Sequence, residues 1–400
     1  MKYAKYLLPI AILFFTGIIE LYPQDSSIFK NDIKVSLLTY SPGSELYSIF
    51  GHSAIRVFNR SNHSDNVYNY GTFSFDQSGF YFKFMQGNLI YSLSRTSFEN
   101  VKQNLMLENR SLIETPLNLN AIEKKRIVKY LETNLLPKNR DYRYDFLYDN
   151  CATRILELLK KTTSDSLIIN PEVLPVKTFR QLIRPYVKNR PWTNMGIDLL
   201  MGTKADKTAR FTEPAFLPDY LHLFVKNFRL TGKGNSYRLT GNDIIHFQNY
   251  QIKKERKLTP ALILWPLALL FLISALIDSY LRSFFRRTGN IILFLIGIIS
   301  LFLCYLWIFS DHYIFRYNID LIWANPLLLI AVLLKTSSTH NKFMALKKFF
   351  LLFAGIIIAL GILLSIIVEK NFNLTASGIL VLIIVAEKIK SFHFANLVTV

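Results

Sequence analysis

Two hydropathy patterns divide the chain. From about Gln24 to Leu258 short apolar and polar segments alternate, whereas beyond Pro260 long apolar runs are separated by short basic loops. In the first part, Val35 to Tyr40, His52 to Phe58, Val67 to Phe73, Phe80 to Phe84 and Leu89 to Leu93 read as strands. Turn residues such as Ser41-Pro42-Gly43 and Ser61-Asn62-His63-Ser64-Asp65 separate them. Helix signals follow. Asn120 is placed to cap a helix running to about Leu136, and Asp149-Asn150 to cap another from Cys151 to about Lys161. A strand block followed by a helix block predicts an α+β domain.

The later apolar runs are Leu258 to Ile277, Ile291 to Phe309, Leu321 to Leu334, Phe349 to Val368 and Leu374 to Ala386. The first, second and fourth reach the roughly 20 residues that cross a bilayer core, and the third and fifth are shorter. An all-α polytopic membrane bundle of about five helices is therefore expected over residues 258–400. At the other end, Lys2 and Lys5 precede an apolar stretch from Tyr6 to Ile19 and then a polar run from Gln24 to Ser27. Residues 1–24 read as a signal peptide or, since no clear small-x-small cleavage pattern follows, an uncleaved signal anchor. Either places the domain expected at 25–257 outside the cytoplasm.

Charge distribution leads independently to the same topology. The formal net charge of +19 would suit a nucleic-acid binder if it were clustered. Instead Arg282, Arg286 and Arg287, and again Lys335, Lys342, Lys347 and Lys348, sit between apolar runs. The loops expected outside, Asp311 to Asp320 and Glu369 to Asn373, hold one cation each. This is the positive-inside pattern of a membrane protein and argues against nucleic acid as the partner. Lys124, Lys125, Arg126, Lys160 and Lys161 belong to the first part and suit either a solvated helix face or anionic lipid headgroups.

The chain has only two cysteines: Cys151, in the mixed domain, and Cys304, inside an apolar run. One lies in water and the other at membrane depth, so no disulfide framework is expected. A lone cysteine also makes no multi-cysteine zinc site, and no cofactor or metal is expected. Cys151 stands at a predicted helix start, where unpaired amides and the helix dipole favour a thiolate. Taken alone, it reads more readily as a small buried hydrophobe at a helix start. His52, in Phe50-Gly51-His52-Ser53-Ala54-Ile55-Arg56, heads a predicted strand after a glycine that permits close backbone approach. A strand-borne imidazole facing a helix-borne thiol is what a Cys-His pair requires, with the imidazole as general base and acid. Cys304 reads as inert packing.

Phe50-Gly51-His52-Ser53-Ala54-Ile55-Arg56, Tyr68-Asn69-Tyr70-Gly71-Thr72-Phe73 and Asp149-Asn150-Cys151-Ala152-Thr153-Arg154 resemble the Lnb lipoprotein N-acyltransferase family of Bacteroidetes. The likeness continues through Gly196-Ile197-Asp198, Gly202, Ala205-Asp206 and Phe216-Leu217-Pro218 to Asp311-His312 and Trp323-Ala324-Asn325-Pro326. The resemblance implies a permuted papain-like, NlpC-type extracytoplasmic domain in which histidine precedes cysteine. It further implies a transacylase of the bacterial inner membrane, with its catalytic domain on the periplasmic side. Its acyl donor would be a phospholipid and its acceptor the free α-amine of a diacylglyceryl-cysteine lipoprotein, the acyl group passing through a Cys151 thioester. Asn69, on a neighbouring strand, is the candidate to orient His52. Tyr68 and Tyr70 alternate to the opposite face and read as core. Asn150 either caps the Cys151 helix or donates to an oxyanion. Asp311, His312 and Asn325, near Asn318 at the outer membrane surface, suit substrate headgroups or plain interfacial loops. The rival readings are a membrane-bound thiol phospholipase, a cell-wall peptidase and a non-catalytic membrane scaffold.

Overall fold

The computed structural model describes residues 32–74, 76, 78–163, 166–232, 235–249, 258–274, 279–334, 341–367 and 372–397. The expected signal segment 1–24 and the first part, 335–340, of the basic loop expected from Lys335 to Lys348 lie outside the described residues, and the rest of that loop is helical. The first part of the chain is a mixed α/β domain rich in sheet, and the last part is helical.

The sheet grows from β1 (Ile33–Tyr40), β2 (His52–Asn59), β3 (Ser64–Thr72) and β4 (Ile90–Ser97), with α1 (Phe80–Gln86) between the last two. After α2 (Phe98–Leu107) come β5 (Leu112–Pro116), α3 (Ala121–Leu135), β6 (Asp141–Arg143) and α4 (Cys151–Thr162). A three-stranded sheet of β7 (Ser166–Ile168), β8 (Arg229–Gly232) and β9 (Asn235–Arg238) is interrupted by α5 (Phe179–Val187), α6 (Pro191–Leu200) and α7 (Pro218–Asn227). Finally β10 (Ile244–Phe247) returns to the first sheet, giving the antiparallel order β10-β5-β1-β2-β3-β4-β6. Strands thus continue after the helices, and the expected simple succession of blocks is corrected: the late strands are three or four residues long and leave no period to read.

Both faces of the sheet are covered. Val35, Leu37, Ile55, Tyr68 and Tyr70 pack against Ile127 and Leu131 of α3 and Ile155, Leu158 and Leu159 of α4. On the other face Leu38, Tyr40, Ala54 and Val67 meet Phe98, Val101 and Leu105 of α2. Helix α4 is amphipathic. Cys151, Ala152, Ile155, Leu156, Leu158, Leu159 and Thr162 are buried, while Lys160 and Lys161 near its end are exposed. Burial stabilises each of its large aliphatic side chains by about 1.5–3 kcal/mol.

The segment Phe80 to Phe84, expected as a strand, is the helix α1 instead. Gly79 (φ 68°) and Gly87 (φ 76°) bracket it in the left-handed conformation, and the Gly87 amide returns to the carbonyls of Lys83 and Phe84. A five-residue run of four aromatic residues and Lys83 carries no decisive period, and its flanking glycines determine the outcome.

The C-terminal part comprises α8 (Pro260–Ser274), α9 (Ser279–Phe309), α10 (Leu327–Leu333), α11 (Asn341–Ile367) and α12 (Phe372–Leu397). Among the described residues, two helical stretches, 282–309 and 344–364, are long and apolar enough to cross a bilayer. The third expected span, Leu321 to Leu334, is broken: a 3-10 turn at Ile319–Ile322 precedes Pro326 and the seven-residue α10. At about 1.5 Å per residue α10 is roughly 10 Å long, too short to span. Pro326, which cannot donate a backbone hydrogen bond, marks the break.

Loops join the two parts. The Asp311 amide donates to the Gln86 carbonyl (2.8 Å), Ser310 Oγ to the Met85 carbonyl (2.7 Å) and Gln86 Nε2 to Tyr305 Oη (2.6 Å). A second contact is made by Gly202 N–H to the Ile314 carbonyl (2.8 Å) and Asn318 Nδ2 to the Leu199 carbonyl (2.7 Å). Buried Arg180 braces the 198–206 segment that carries this contact, reaching Asp198 at 2.7 Å and Asp206 at 2.6 Å. Removing one partner of such a buried ionic group costs about 3–5 kcal/mol, so this docking segment is firmly held.

Candidate active site

Cys151 occupies the first turn of α4, and its position follows from Asn150. The Asn150 side-chain carbonyl accepts from the amides of Ala152 (2.9 Å) and Thr153 (3.0 Å), and Thr153 Oγ1 accepts from the Asn150 amide (2.8 Å), closing a reciprocal cap. Asn150 Nδ2 donates to the carbonyls of Phe146 (2.8 Å) and Phe216 (2.9 Å). With both N–H bonds spent on backbone, the Asn150 amide braces the helix start and has no hydrogen left for an oxyanion. Asp149 and Arg154 form a two-point ion pair (2.6 and 2.8 Å) across the same turn.

His52 begins β2 opposite Tyr40 of β1. Gly51 before it has φ 78°, and a Cβ there would stand 2.8 Å from the Tyr40 carbonyl, so only glycine delivers the chain at this angle. The Tyr40 ring lies against the imidazole, centroids 5.4 Å apart. His52 hydrogen-bonds Cys151, while its Nε2 meets Asn69 Oδ1 from β3. With Nε2 engaged there, Nδ1 is the nitrogen left to face the sulfur. Tyr68 and Tyr70, either side of Asn69, point into the core.

The electrostatics favour an ion pair. Burial pushes the Cys151 thiol up, but the His52 charge, its hydrogen bond and the amides of Ser53 and Ala152 outweigh this and hold the thiol below its ordinary value. For His52, burial lowers the pKa, and the thiolate, its hydrogen bond and Asn69 raise it above the ordinary imidazole value. Such a sulfur is a competent nucleophile with its proton acceptor in contact.

The structure does not bring Asp311, His312 or Asn325 to this pair. His312 is buried against Phe84, with Nε2 at 2.8 Å from the Phe84 carbonyl, and Asp311 forms a loose pair with Arg143 (3.7 Å). Asn325 is buried among the C-terminal helices, its Nδ2 3.3 Å from the Ile322 carbonyl. All three belong to the joint between the parts or to the helical part itself. Cys304 lies on α9 and is half-buried. A cleft of about 1550 Å³ lined by Tyr186, Arg190, Asp219 and His222 includes neither Cys151 nor His52. Among the described residues no group of three or more His, Cys, Asp or Glu side chains is placed to hold a metal.

Sequence reasoning missed Tyr40, Tyr142 and Arg180. Tyr142 lies on a three-residue strand and Arg180 meets partners 18 and 26 residues away, so neither is flagged by a local pattern.

A buried thiol paired with an imidazole, on an α/β domain joined to apolar helices, defines a membrane protein carrying a candidate thiol site. Residues 24–185 match the Lnb N-terminal periplasmic domain and residues 252–395 the Lnb transmembrane domain. The chain therefore belongs to the Lnb family of lipoprotein-processing membrane proteins, with a periplasmic domain followed by a transmembrane domain. No curated protein and no solved structure matched it.

Proposed function

We propose that this protein is a lipoprotein N-acyltransferase working through a Cys151 thioester. The observation that carries the reading is the contact of Cys151, at a capped helix start, with His52, itself held by Asn69. The Cys151 thiolate attacks a phospholipid ester carbonyl, forming the C–S bond and breaking the bond to the glycerol oxygen. That oxygen leaves with the proton held by His52. The lipoprotein α-amine then attacks the thioester, a C–N bond replaces C–S, and the amine proton returns to His52. The domain is a permuted papain-like fold of the NlpC type, histidine preceding cysteine, and the C-terminal helices form a polytopic anchor in the inner membrane. A periplasmic thiol fastened at the bilayer surface is within reach of both lipid-embedded substrates, which raises their effective concentration.

The test is expression in cells lacking their own lipoprotein N-acylation, with the N-terminal lipid of a reporter lipoprotein read by mass spectrometry. An amide-linked acyl chain that disappears with Cys151→Ala is expected. Release of free fatty acid with an unmodified reporter amine would instead identify a thiol phospholipase.

A further inference from the structure

Tyr142 on β6 is firmly placed: the Arg154 guanidinium lies 3.5 Å from its ring centroid, and the rings of Tyr70 and Tyr91 stand 6.4 and 6.5 Å away. The residue is 7% exposed, yet among the described residues its hydroxyl has no hydrogen-bond partner. Leaving a buried polar group unmet is unfavourable, and such a group calls for a partner that the described residues do not supply.

Gly71 shows what the hydroxyl faces. It adopts φ +93°, and a Cβ built on it would have as nearest atoms His52 Cε1 at 3.8 Å, Cys151 Cβ at 3.9 Å and Tyr142 Oη at 3.9 Å. The missing side chain leaves an atom-sized opening bounded by the imidazole, the cysteine and the phenol. Tyr40 and Ser53 also carry buried hydroxyls with no partner among the described residues, but neither is among the atoms nearest this opening.

Resting on the transacylase reading, we propose that the opening over Gly71 receives the acyl carbonyl and that Tyr142 Oη donates a hydrogen bond to its oxyanion. As Cys151 sulfur adds to the ester carbon, the carbonyl electron pair moves onto oxygen. The phenol O–H meets that charge and keeps its own proton, and collapse of the intermediate expels the glycerol oxygen. The same bond serves when the amine adds to the thioester. Burial, and then the charge of Cys151, pushes the phenol well above its ordinary range, so Tyr142 stays a donor and does not act as an acid. With Asn150 Nδ2 committed to two carbonyls, Tyr142 takes the part that Asn150 cannot.

The test compares two reactions of Cys151 in the full-length, detergent-solubilised protein, wild type against Tyr142→Phe. Acylation by p-nitrophenyl butyrate passes through an oxyanion, whereas alkylation by iodoacetamide does not. Loss of one oxyanion donor lowers the acylation rate on the order of 100-fold, and the alkylation rate should stay within about twofold. Acylation within about threefold of wild type would overturn the proposal. So would a parallel fall in both rates, because the hydroxyl would then act on the thiolate or its packing. Failure of the wild type to form any acyl-Cys151 would instead count against the transacylase reading itself.

Discussion

Replacing Asn150 by alanine removes four hydrogen bonds at once, and their geometry fixes the size of the effect. Loss of the cap over the Ala152 and Thr153 amides costs about 1 kcal/mol. The carbonyls of Phe146 and Phe216 lose their donor inside the protein, at about 1–3 kcal/mol each. The sum, roughly 3–7 kcal/mol, is comparable with the roughly 5–15 kcal/mol that holds a domain folded. Asn150→Ser keeps a cap acceptor but reaches neither carbonyl, so it should recover only the cap's share of about 1 kcal/mol. The assay is hydrogen exchange of the 146–156 peptide together with thermal unfolding of the full-length protein. Faster exchange and a lower midpoint are expected in both variants, more so for alanine, with thioester formation falling in step as the helix start that holds Cys151 frays. Unchanged exchange and midpoint with acylation abolished would refute this reasoning and return Asn150 to the oxyanion role.

Three further outcomes follow from the same structure. Cys151→Ser should insert normally and lose transfer, because a hydroxyl is not ionised by a helix start and one imidazole, whereas Cys304→Ser should be nearly silent; a reporter assay on each checks the pair. The wild-type Cys151 thiol is held below its ordinary value and His52 above its own, so alkylation by iodoacetamide should already be appreciable at neutral pH. In His52→Ala the burial remains without the imidazolium, so the rate should rise only above the ordinary thiol pKa of roughly 8.5; coincident pH profiles would refute the ion pair. A topology reporter fused after Ser338 should be cytoplasmic and one inserted near Tyr317 periplasmic; a periplasmic signal at Ser338 would contradict the basic-loop argument.

How much of this was legible depended on how local the cause was. The helix starts at Ala121 and Cys151 were readable because Asn120 and Asn150 are cap residues acting within three positions of themselves. The burial of Tyr68 and Tyr70 and the opposite facing of Asn69 follow from strand alternation alone. The run at Phe80 was too short to show a period, and the information lay in the glycines beside it. Leu321 to Leu334 is apolar enough for a span, but Asn325-Pro326 divides it. What remained hidden is long-range: β10 joins β5 across more than a hundred residues, and Arg180 gathers the Asp198 and Asp206 that appear in sequence only as separate motifs. The place of His312 was hidden for the same reason, since its partner Phe84 lies in an element whose type is itself misread from sequence.

The measurement that bears most directly on the proposed chemistry is a chase of label through Cys151. Full-length protein is incubated with phospholipid carrying an isotopically labelled acyl chain and no acceptor, then digested and analysed by mass spectrometry. The Cys151 peptide should gain the acyl mass, lose it to neutral hydroxylamine, and form the adduct only slowly in His52→Ala. Addition of an unacylated lipoprotein should move the label to its α-amine faster than water releases it as fatty acid, because a bound amine is held at high effective concentration. Absence of any adduct on Cys151 during active turnover, or discharge mainly to free fatty acid with acceptor present, would contradict covalent transfer through this cysteine.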